Sequence, residues 1–335
     1  MLYPLSQMYG GIMEIRNWAF NKGLLSSYSS KIKTISVGNL SVGGSGKTPC
    51  SIYLIEHLQE QGFKPAFVSR GYGRSTKGLK EVKLNQDMSF FGDEPYLVKE
   101  KFPNLPVWVS EKRKIAIQEL EKNPDIDIII LDDAFQHRYV NRDLNILLSR
   151  FDYPYFYDQV VPGGRLREFR KQAKRADYTI FTKCPIELSP EEMAYYNLES
   201  RNYSSAPVGF AFTKQKGITS WEGVEIPINN QKVALVTGIA QPNLLVEYVN
   251  NKFELLEHFE YNDHQNYDFA DVQKWLQFRK DNGLDFILLT EKDAARLKDV
   301  IREIERPYFA VLPMKIDFHP NTKSHLELLL KELME

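Results

Sequence analysis

The 335-residue chain carries 43% hydrophobic and 26% charged residues with a formal net charge of −1, the composition of a soluble globular protein long enough for two domains. The near-neutral balance argues against a general nucleic-acid binder, because neutralising phosphates takes a basic surplus. Two cysteines, Cys50 and Cys184, stand far apart in no metal or disulfide pattern, so a reducing cytoplasm is the expected compartment.

No uninterrupted apolar run is long enough for a transmembrane helix. The N-terminus nevertheless predicts an amphipathic helix: Leu5, Met8, Tyr9, Ile12, Met13, Ile15, Ala19 and Phe20 share a broad face, with Gln7, Glu14 and Asn17 opposite. Glu14 and Arg16 interrupt it too early for a signal-peptide core. Periodicity leaves two readings open. The helix packs on the domain, or it lies in a membrane interface with Arg16, Trp18 and Lys22 near the headgroups.

Next comes an apolar run from Thr34 that breaks into Ser41-Val-Gly-Gly-Ser-Gly-Lys-Thr48. A strand that delivers small residues, a lysine and a hydroxyl is what a phosphate-binding loop needs. The backbone N–H groups curl round phosphate oxygens, the lysine meets the β- and γ-phosphates, and the hydroxyl meets Mg²⁺. Ser41 replaces the first glycine of the usual pattern. Ile52, Leu54, Ile55 and Leu58 then predict a helix whose N-terminus faces the anion.

Strands are expected at 65–69, 107–109, 126–131, 144–148 and 178–182, with a helix from Tyr96 to Lys101. The alternation predicts an α/β fold: a P-loop NTPase-like parallel sheet flanked by helices. A β-rich region with Gly217, Gly223 and Pro227 precedes a second alternating block with strands at 232–238, 286–290 and 308–312. The expected divisions are an N-terminal helix region (1–30), a kinase core (31–207), a β-rich linker (208–231) and a smaller α/β domain (232–335).

Asp132-Asp133 ends the strongest buried-strand candidate, where a phosphate-loop enzyme places a metal-binding carboxylate. Pro162-Gly-Gly-Arg-Leu-Arg-Glu168 presents two arginines that suit phosphate, or a basic solvated helix face. Asp93 fits a helix cap or turn as readily as a catalytic base. Asp263-His264 lies in a polar loop, where a histidine is ordinarily a surface residue. Thr290 reads as a helix N-cap with Asp293 three residues on. Phe181-Thr-Lys-Cys-Pro185 has proline where guanine recognition wants aspartate, so ATP is favoured over GTP.

Taken in order, Val37-Gly-Asn-Leu-Ser-Val-Gly-Gly-Ser-Gly-Lys-Thr-Pro49, Ser69-Arg-Gly-Tyr72, Gly92-Asp-Glu-Pro95, Leu131-Asp-Asp-Ala-Phe-Gln-His137, Leu166-Arg-Glu168, Asp263-His264 and Thr290-Glu-Lys-Asp-Ala294 make the chain resemble the tetraacyldisaccharide 4′-kinases of lipid A biosynthesis over nearly its whole length. That family's loop also lacks the first glycine. The resemblance implies transfer of the ATP γ-phosphate to the 4′-hydroxyl of a lipid A disaccharide 1-phosphate. The enzyme would be a monomer, peripheral at the cytoplasmic face of the inner membrane, with its N-terminal helix on the lipid surface.

It also implies roles. Ser41, Val42, Gly43, Gly44, Ser45, Gly46, Lys47 and Thr48 cradle ATP. Thr48, Asp132, Asp133 and Glu168 serve Mg²⁺, with Glu168 also near the nucleotide. Asp93 is the base, paired with His264 from the second domain, and domain closure completes the site. Tyr72, Arg113 and His137 lie near the disaccharide or the transferring phosphate. Ser110-Glu-Lys-Arg113 lacks the family's glycine-leading stretch. An NTPase without a lipid acceptor, or a membrane scaffold with a vestigial loop, are the alternatives.

Overall fold

The computed structural model describes residues 2–215, 217–239, 242–263, 265–320 and 322–335. It divides into two units, Met1–Thr213 with Ile316–Glu335, and Lys214–Lys315. In the first, α1 (Tyr3–Asn21) is followed by β1 (Lys33–Asn39), α2 (Lys47–Glu60), β2 (Pro65–Ser69), β3 (Lys80–Glu81) and α3 (Asp93–Lys101). Then come β4 (Val107–Val109), α4 (Arg113–Leu120), β5 (Ile128–Asp132), β6 (Leu144–Arg150), β7 (Tyr178–Thr182), α5 (Pro190–Arg201) and β8 (Val208–Gln215). The second unit holds β9 (Ile218–Thr219), β10 (Glu225–Ile226), β11 (Lys232–Thr237), α6 (Asn243–Lys252), β12 (Glu254–Glu260), α7 (Phe269–Asn282), β13 (Phe286–Thr290), α8 (Glu291–Leu297) and β14 (Phe309–Leu312). The chain then forms β15 (Met314–Phe318) and α9 (Ser324–Met334).

Nine strands in the order β15-β8-β7-β6-β1-β5-β2-β4-β3 form the large sheet. From β8 to β4 the pairings are parallel, and β3 is antiparallel to β4. Ile128, Ile129, Ile130 and Leu131 of β5 are all buried, as a strand covered on both faces by helices requires, and so its sequence shows an unbroken apolar run. β1 lies between β5 and β6, with Val37 opposite Asp132 and Gly38 opposite Leu147. The loop after β1 therefore opens where two neighbouring strands end, the place where parallel sheets bind ligands. The second unit has its own six-stranded sheet, β10-β9-β14-β13-β11-β12.

Two boundaries differ from the expected ones. The segment 208–231 is split, with β8 in the large sheet and β9 and β10 in the small one. Residues 316–335, expected in the C-terminal domain, belong to the first unit. There Phe318, Leu326 and Leu330 join the same core as Ile35 of β1 and Leu54 of α2. Alternation marks strands but does not say which sheet each will join. α3 also starts at Asp93, three residues before the expected helix.

α1 departs most from the pattern. Its buried residues are Ser6, Gly10, Asn17 and Phe20, so three polar or small residues and one aromatic face the protein. Leu2, Tyr3, Leu5, Met8, Ile12, Ile15 and Trp18 are exposed. Ser6 Oγ accepts from Gly163 N–H at 2.8 Å, and Phe20 lies between Arg16 and Arg138, each guanidinium 5.1 Å from its ring centroid. A side chain at Gly10 would strike the Phe169 ring, whose Cζ is 2.4 Å from where a Cβ would fall. The helix is thus seated by close approach, hydrogen bonds, Phe20 and the half-buried Tyr9, while most of its apolar residues stay outside.

Gly38 tests the packing beneath the loop. A Cβ there would fall 2.6 Å from Phe135 N and 2.7 Å from Phe135 Cβ, in backbone that has little room to yield. Gly38→Ala should destabilise the protein by about 1–3 kcal/mol, seen as a lower urea midpoint with an unchanged m-value.

Candidate active site

The loop between β1 and α2 is held from two sides. Arg167 N–H donates to Leu40 O and Val42 N–H to Arg165 O, both at 2.7 Å, so the segment 165–167 runs beside the loop like a short strand. From β7, Thr182 Oγ1 donates to Ser45 O at 2.9 Å. Gly46 turns the chain into α2 with φ 78°, a left-handed conformation that favours glycine, and Lys47 begins the helix. Gly43 and Gly44 are exposed, leaving their backbone open to an anion at a helix N-terminus. The depression beside the loop is lined by Asn39, Ser41, Val42, Gly43, Ser45, Leu148, Ser149, Arg150, Tyr153 and Arg165.

Asp132 and Asp133 adopt different roles. Asp133 has φ 44° and pairs with Lys47 Nζ at 3.6 Å and with Arg167 Nη1 at 3.0 Å. Burial opposes its charge, but Lys47 and Arg167 outweigh burial and hold its carboxyl below the usual range. Asp132 is 1% exposed. Its Oδ2 accepts from Ser69 Oγ at 3.0 Å, while its Oδ1 is buried with no hydrogen-bond partner. Burial, then the nearby Glu94 carboxylate, push its pKa up to about 7.

An orphaned buried carboxylate oxygen near Lys47 suits Mg²⁺, a hard cation that takes oxygen ligands and keeps several waters. Among the described residues no three His, Cys, Asp or Glu side chains cluster as a complete metal cage. That fits an ion held by one or two carboxylates, a hydroxyl and phosphates rather than by protein alone.

Glu168 directly follows Arg167, the ion-pair partner of Asp133. It is fully buried, accepting from Asn17 Nδ2 of α1 at 3.2 Å and pairing with Arg175. Burial raises its pKa, with Arg175, Asn17, Arg16 and Arg138 offsetting part of that cost. Its Oε1 is buried with no hydrogen-bond partner, while its Oε2 ties the N-terminal helix and Arg175 together.

A family model described as tetraacyldisaccharide-1-P 4′-kinase matches residues 1–334. The chain belongs to this family. The tetraacyldisaccharide 4′-kinase of Cytophaga hutchinsonii is 37% identical over 307 residues, covering 91% of this chain and 87% of its own. That of Flavobacterium johnsoniae is 38% identical over 327 residues, covering 95% and 92%. A solved structure of LpxK from Aquifex aeolicus in complex with ATP matches with a TM-score of 0.79 and 29% identity, covering 99% of this chain and 98% of that one. The fold is therefore that of a P-loop kinase, and the chain is an ATP-dependent kinase of the tetraacyldisaccharide family.

Within this 4′-kinase, the motifs around Tyr72 and Asp93 meet. A Cβ at Gly92 would fall 2.7 Å from Tyr72 O, so the backbones of Gly71-Tyr72 and Gly92-Asp93 pack together. Tyr72 is 79% exposed, available to a ligand. Arg113 is buried and donates Nη2 to Asp132 O at 3.1 Å, fixing the end of β5. Its pKa is lowered to about 10, chiefly by burial. His137 is pushed down to about 4 by burial and then by Arg113, Arg142, Arg16 and Arg70, so it is neutral at physiological pH. His264 lies outside the described residues. In the second unit, Thr290 caps α8 by accepting from Asp293 N–H, in keeping with the capping reading.

Two residues went unnoticed in the sequence. Glu94 follows Asp93 in the first turn of α3 and acts on Asp132 electrostatically. Asn39 is 1% exposed, with both side-chain polar atoms unpartnered at the mouth of the loop. The Gly-Asp-Glu-Pro spacing at a helix start could have flagged Glu94. Nothing in the sequence singles out Asn39.

Raising an acid's pKa on folding weakens the fold as pH climbs from the unfolded value near 4 to the folded value. Above about 7 the penalty is complete. Asp132→Asn removes it, so in ion-free protein the variant's stability advantage should open between about pH 4 and 7 and stay level above. A tenfold change in proton affinity corresponds to about 1.4 kcal/mol, and the gain at pH 8 should reach at least about 1 kcal/mol. Urea unfolding in chelator at pH 4, 5.5 and 8 would measure it.

Proposed function

We propose that this kinase transfers the γ-phosphate of ATP to the 4′-hydroxyl of an acylated glucosamine disaccharide 1-phosphate. The observation that carries the reading is the meeting of Lys47, Asp133 and the orphaned Asp132 oxygen at the open end of a phosphate loop. The backbone from Ser41 to Thr48 cradles the triphosphate. Lys47 draws charge from the β- and γ-phosphates as the bond breaks. Thr48 and Asp132 would hold Mg²⁺, with Asp133 beside them keeping Lys47 and Arg167 oriented. The bound ion supplies charge neutralisation on the phosphates.

Asp93, at the first turn of α3, takes the proton of the 4′-hydroxyl. The family resemblance gives His264 as its partner in sharing that proton. Tyr72 and the neutral His137 contact the sugar. Arg113 acts one step back, by holding Asp132.

The exposed apolar face of α1 is the membrane contact. A helix that buries serine, glycine and asparagine while presenting Leu5, Met8, Ile12, Ile15 and Trp18 outward suits the interface of a bilayer. No helix among the described residues is long and apolar enough to cross one. A peripheral enzyme at the inner-membrane surface lets the acyl chains stay in lipid while the sugar reaches the loop.

In mixed micelles with labelled ATP and a lipid A disaccharide 1-phosphate, product should carry the label at the 4′ position. Lys47→Ala and Asp93→Ala should each lower turnover by about 100-fold or more. Hydrolysis of ATP with no labelled lipid would overturn the reading. Independently, Ile12→Glu with Ile15→Glu should abolish flotation with anionic vesicles while leaving ATP binding intact. Unchanged flotation would remove α1 as the membrane contact.

A further inference from the structure

The loop after β2 hides a charge. Arg74 follows the exposed Tyr72 and Gly73, yet its side chain is only 3% exposed, and its Nε and Nη1 are buried with no hydrogen-bond partner. Its Nη2 donates to Gly78 O at 2.7 Å and pairs with Glu111. Glu111 Oε2 in turn accepts from Gly78 N–H at 3.1 Å. Burial opposes the Glu111 charge, but Arg74 and the backbone N–H groups of Glu111 and Gly78 hold its carboxyl below the usual range. Glu111 belongs to Ser110-Glu-Lys-Arg113, the stretch that departs from the family's glycine-leading pattern, so the pair is not part of that pattern.

Three connections meet at this pair. The first leaves β2 at Ser69, whose Oγ accepts from Gly71 N–H at 3.3 Å and donates to Asp132. It turns as Arg74 N–H donates to Gly71 O at 3.3 Å, and it then lies along the second connection. There Ser75 N–H donates to Ser89 O at 2.8 Å, and Thr76 Oγ1 donates to Phe90 O. That second connection runs into Asp93 at the start of α3. A Cβ at Gly71 would fall 2.5 Å from Phe91 O and 2.6 Å from Arg74 Cδ, so the Arg74 stem fills the crossing of Gly71-Tyr72 with the chain before Asp93. The third connection, between β4 and α4, supplies Glu111 and is tied to β2 where Ser110 N–H donates to Ser69 O at 3.0 Å. Just beyond Glu111, Arg113 holds the Asp132 carbonyl.

We propose that Arg74 and Glu111 are positioning residues for phosphoryl transfer. Their ion pair clamps the loops that carry Tyr72 and Asp93 to the strand ends that carry Asp132. The inference rests on the reading of Asp93 as the base. Irregular connections lose conformational entropy when they are fixed. A clamp formed in advance removes that loss from the step in which hydroxyl, base and phosphate must line up. An arginine with two donors unsatisfied is a poor fastener for a surface loop if stability is all that is gained. Here it sets where Tyr72 and the start of α3 stand.

The test uses the full chain in the mixed-micelle assay, with Arg74→Met, Arg74→Lys and Glu111→Gln made in the wild type and in Asp93→Ala, and with kcat expressed per folded molecule. Arg74→Met and Glu111→Gln should each lower kcat about tenfold with KM for ATP within about twofold. The two combined should lose no more than Arg74→Met alone, because each acts through the other. Arg74→Lys should recover most of the loss, because it keeps the charge beside Glu111. In the Asp93→Ala background neither substitution should lower the residual rate further. Wild-type kcat in both single variants, whatever their melting temperatures, would leave the pair a purely structural role and sink the proposal, as would an equal loss in the Asp93→Ala background. Full activity of Asp93→Ala itself would instead overturn the reading of the base, and the two failures are thereby told apart.

Discussion

A carboxylate deprived of water at the end of a buried strand is the constraint around which the first unit is arranged. Asp132 is carried by β5, whose residues are buried on both faces, and Arg113 grips its carbonyl from below. Only one of its oxygens is satisfied within the protein. Such a group is costly to bury alone. Here the cost is retained next to a loop that presents bare N–H groups, a lysine and a threonine hydroxyl. The buried carboxylate thus leaves an electrostatic cost at the open end of the loop.

Asp133 turns the same dipeptide to another purpose. Its left-handed backbone swings its side chain toward Lys47 and Arg167, and Arg167 belongs to the segment that hydrogen-bonds the loop. One residue further on, Glu168 fastens α1. Loop, acidic pair and N-terminal helix are consequently tied through a single short run, 165–168. Any displacement of α1 acts on a segment directly bonded to Leu40 and Val42.

The parts of this arrangement that are local in sequence were legible there. A strand running into glycines, a lysine and a threonine has few other uses, and Ile128-Ile-Ile-Leu131 before two aspartates reads as a buried strand ending at a site. What escaped depends on which partner meets which face. Periodicity identified the apolar side of α1 but could not say that the protein would take its serine, glycine and asparagine and, of the apolar side, Phe20. The contact between Glu168 and Asn17, 151 residues away, likewise has no signal in the local sequence. Long-range choices of this kind leave no periodic trace, and neither does the return of residues 316–335 to the first unit.

That return bears on how the molecule is made. β15 borders β8 at one edge of the large sheet, and Phe318 reaches Tyr53 on α2 with ring centroids 5.1 Å apart. The helix that starts at the phosphate loop is therefore backed by residues translated after the whole of the second unit. Until they emerge from the ribosome, the nascent first unit has an unpaired strand edge at β8 and an uncovered apolar flank on α2, the surfaces that invite aggregation and chaperones. A chain cut short after Lys315 would keep every residue of the phosphate loop and lose the packing behind it, so such damage would be felt at the nucleotide rather than in the second unit.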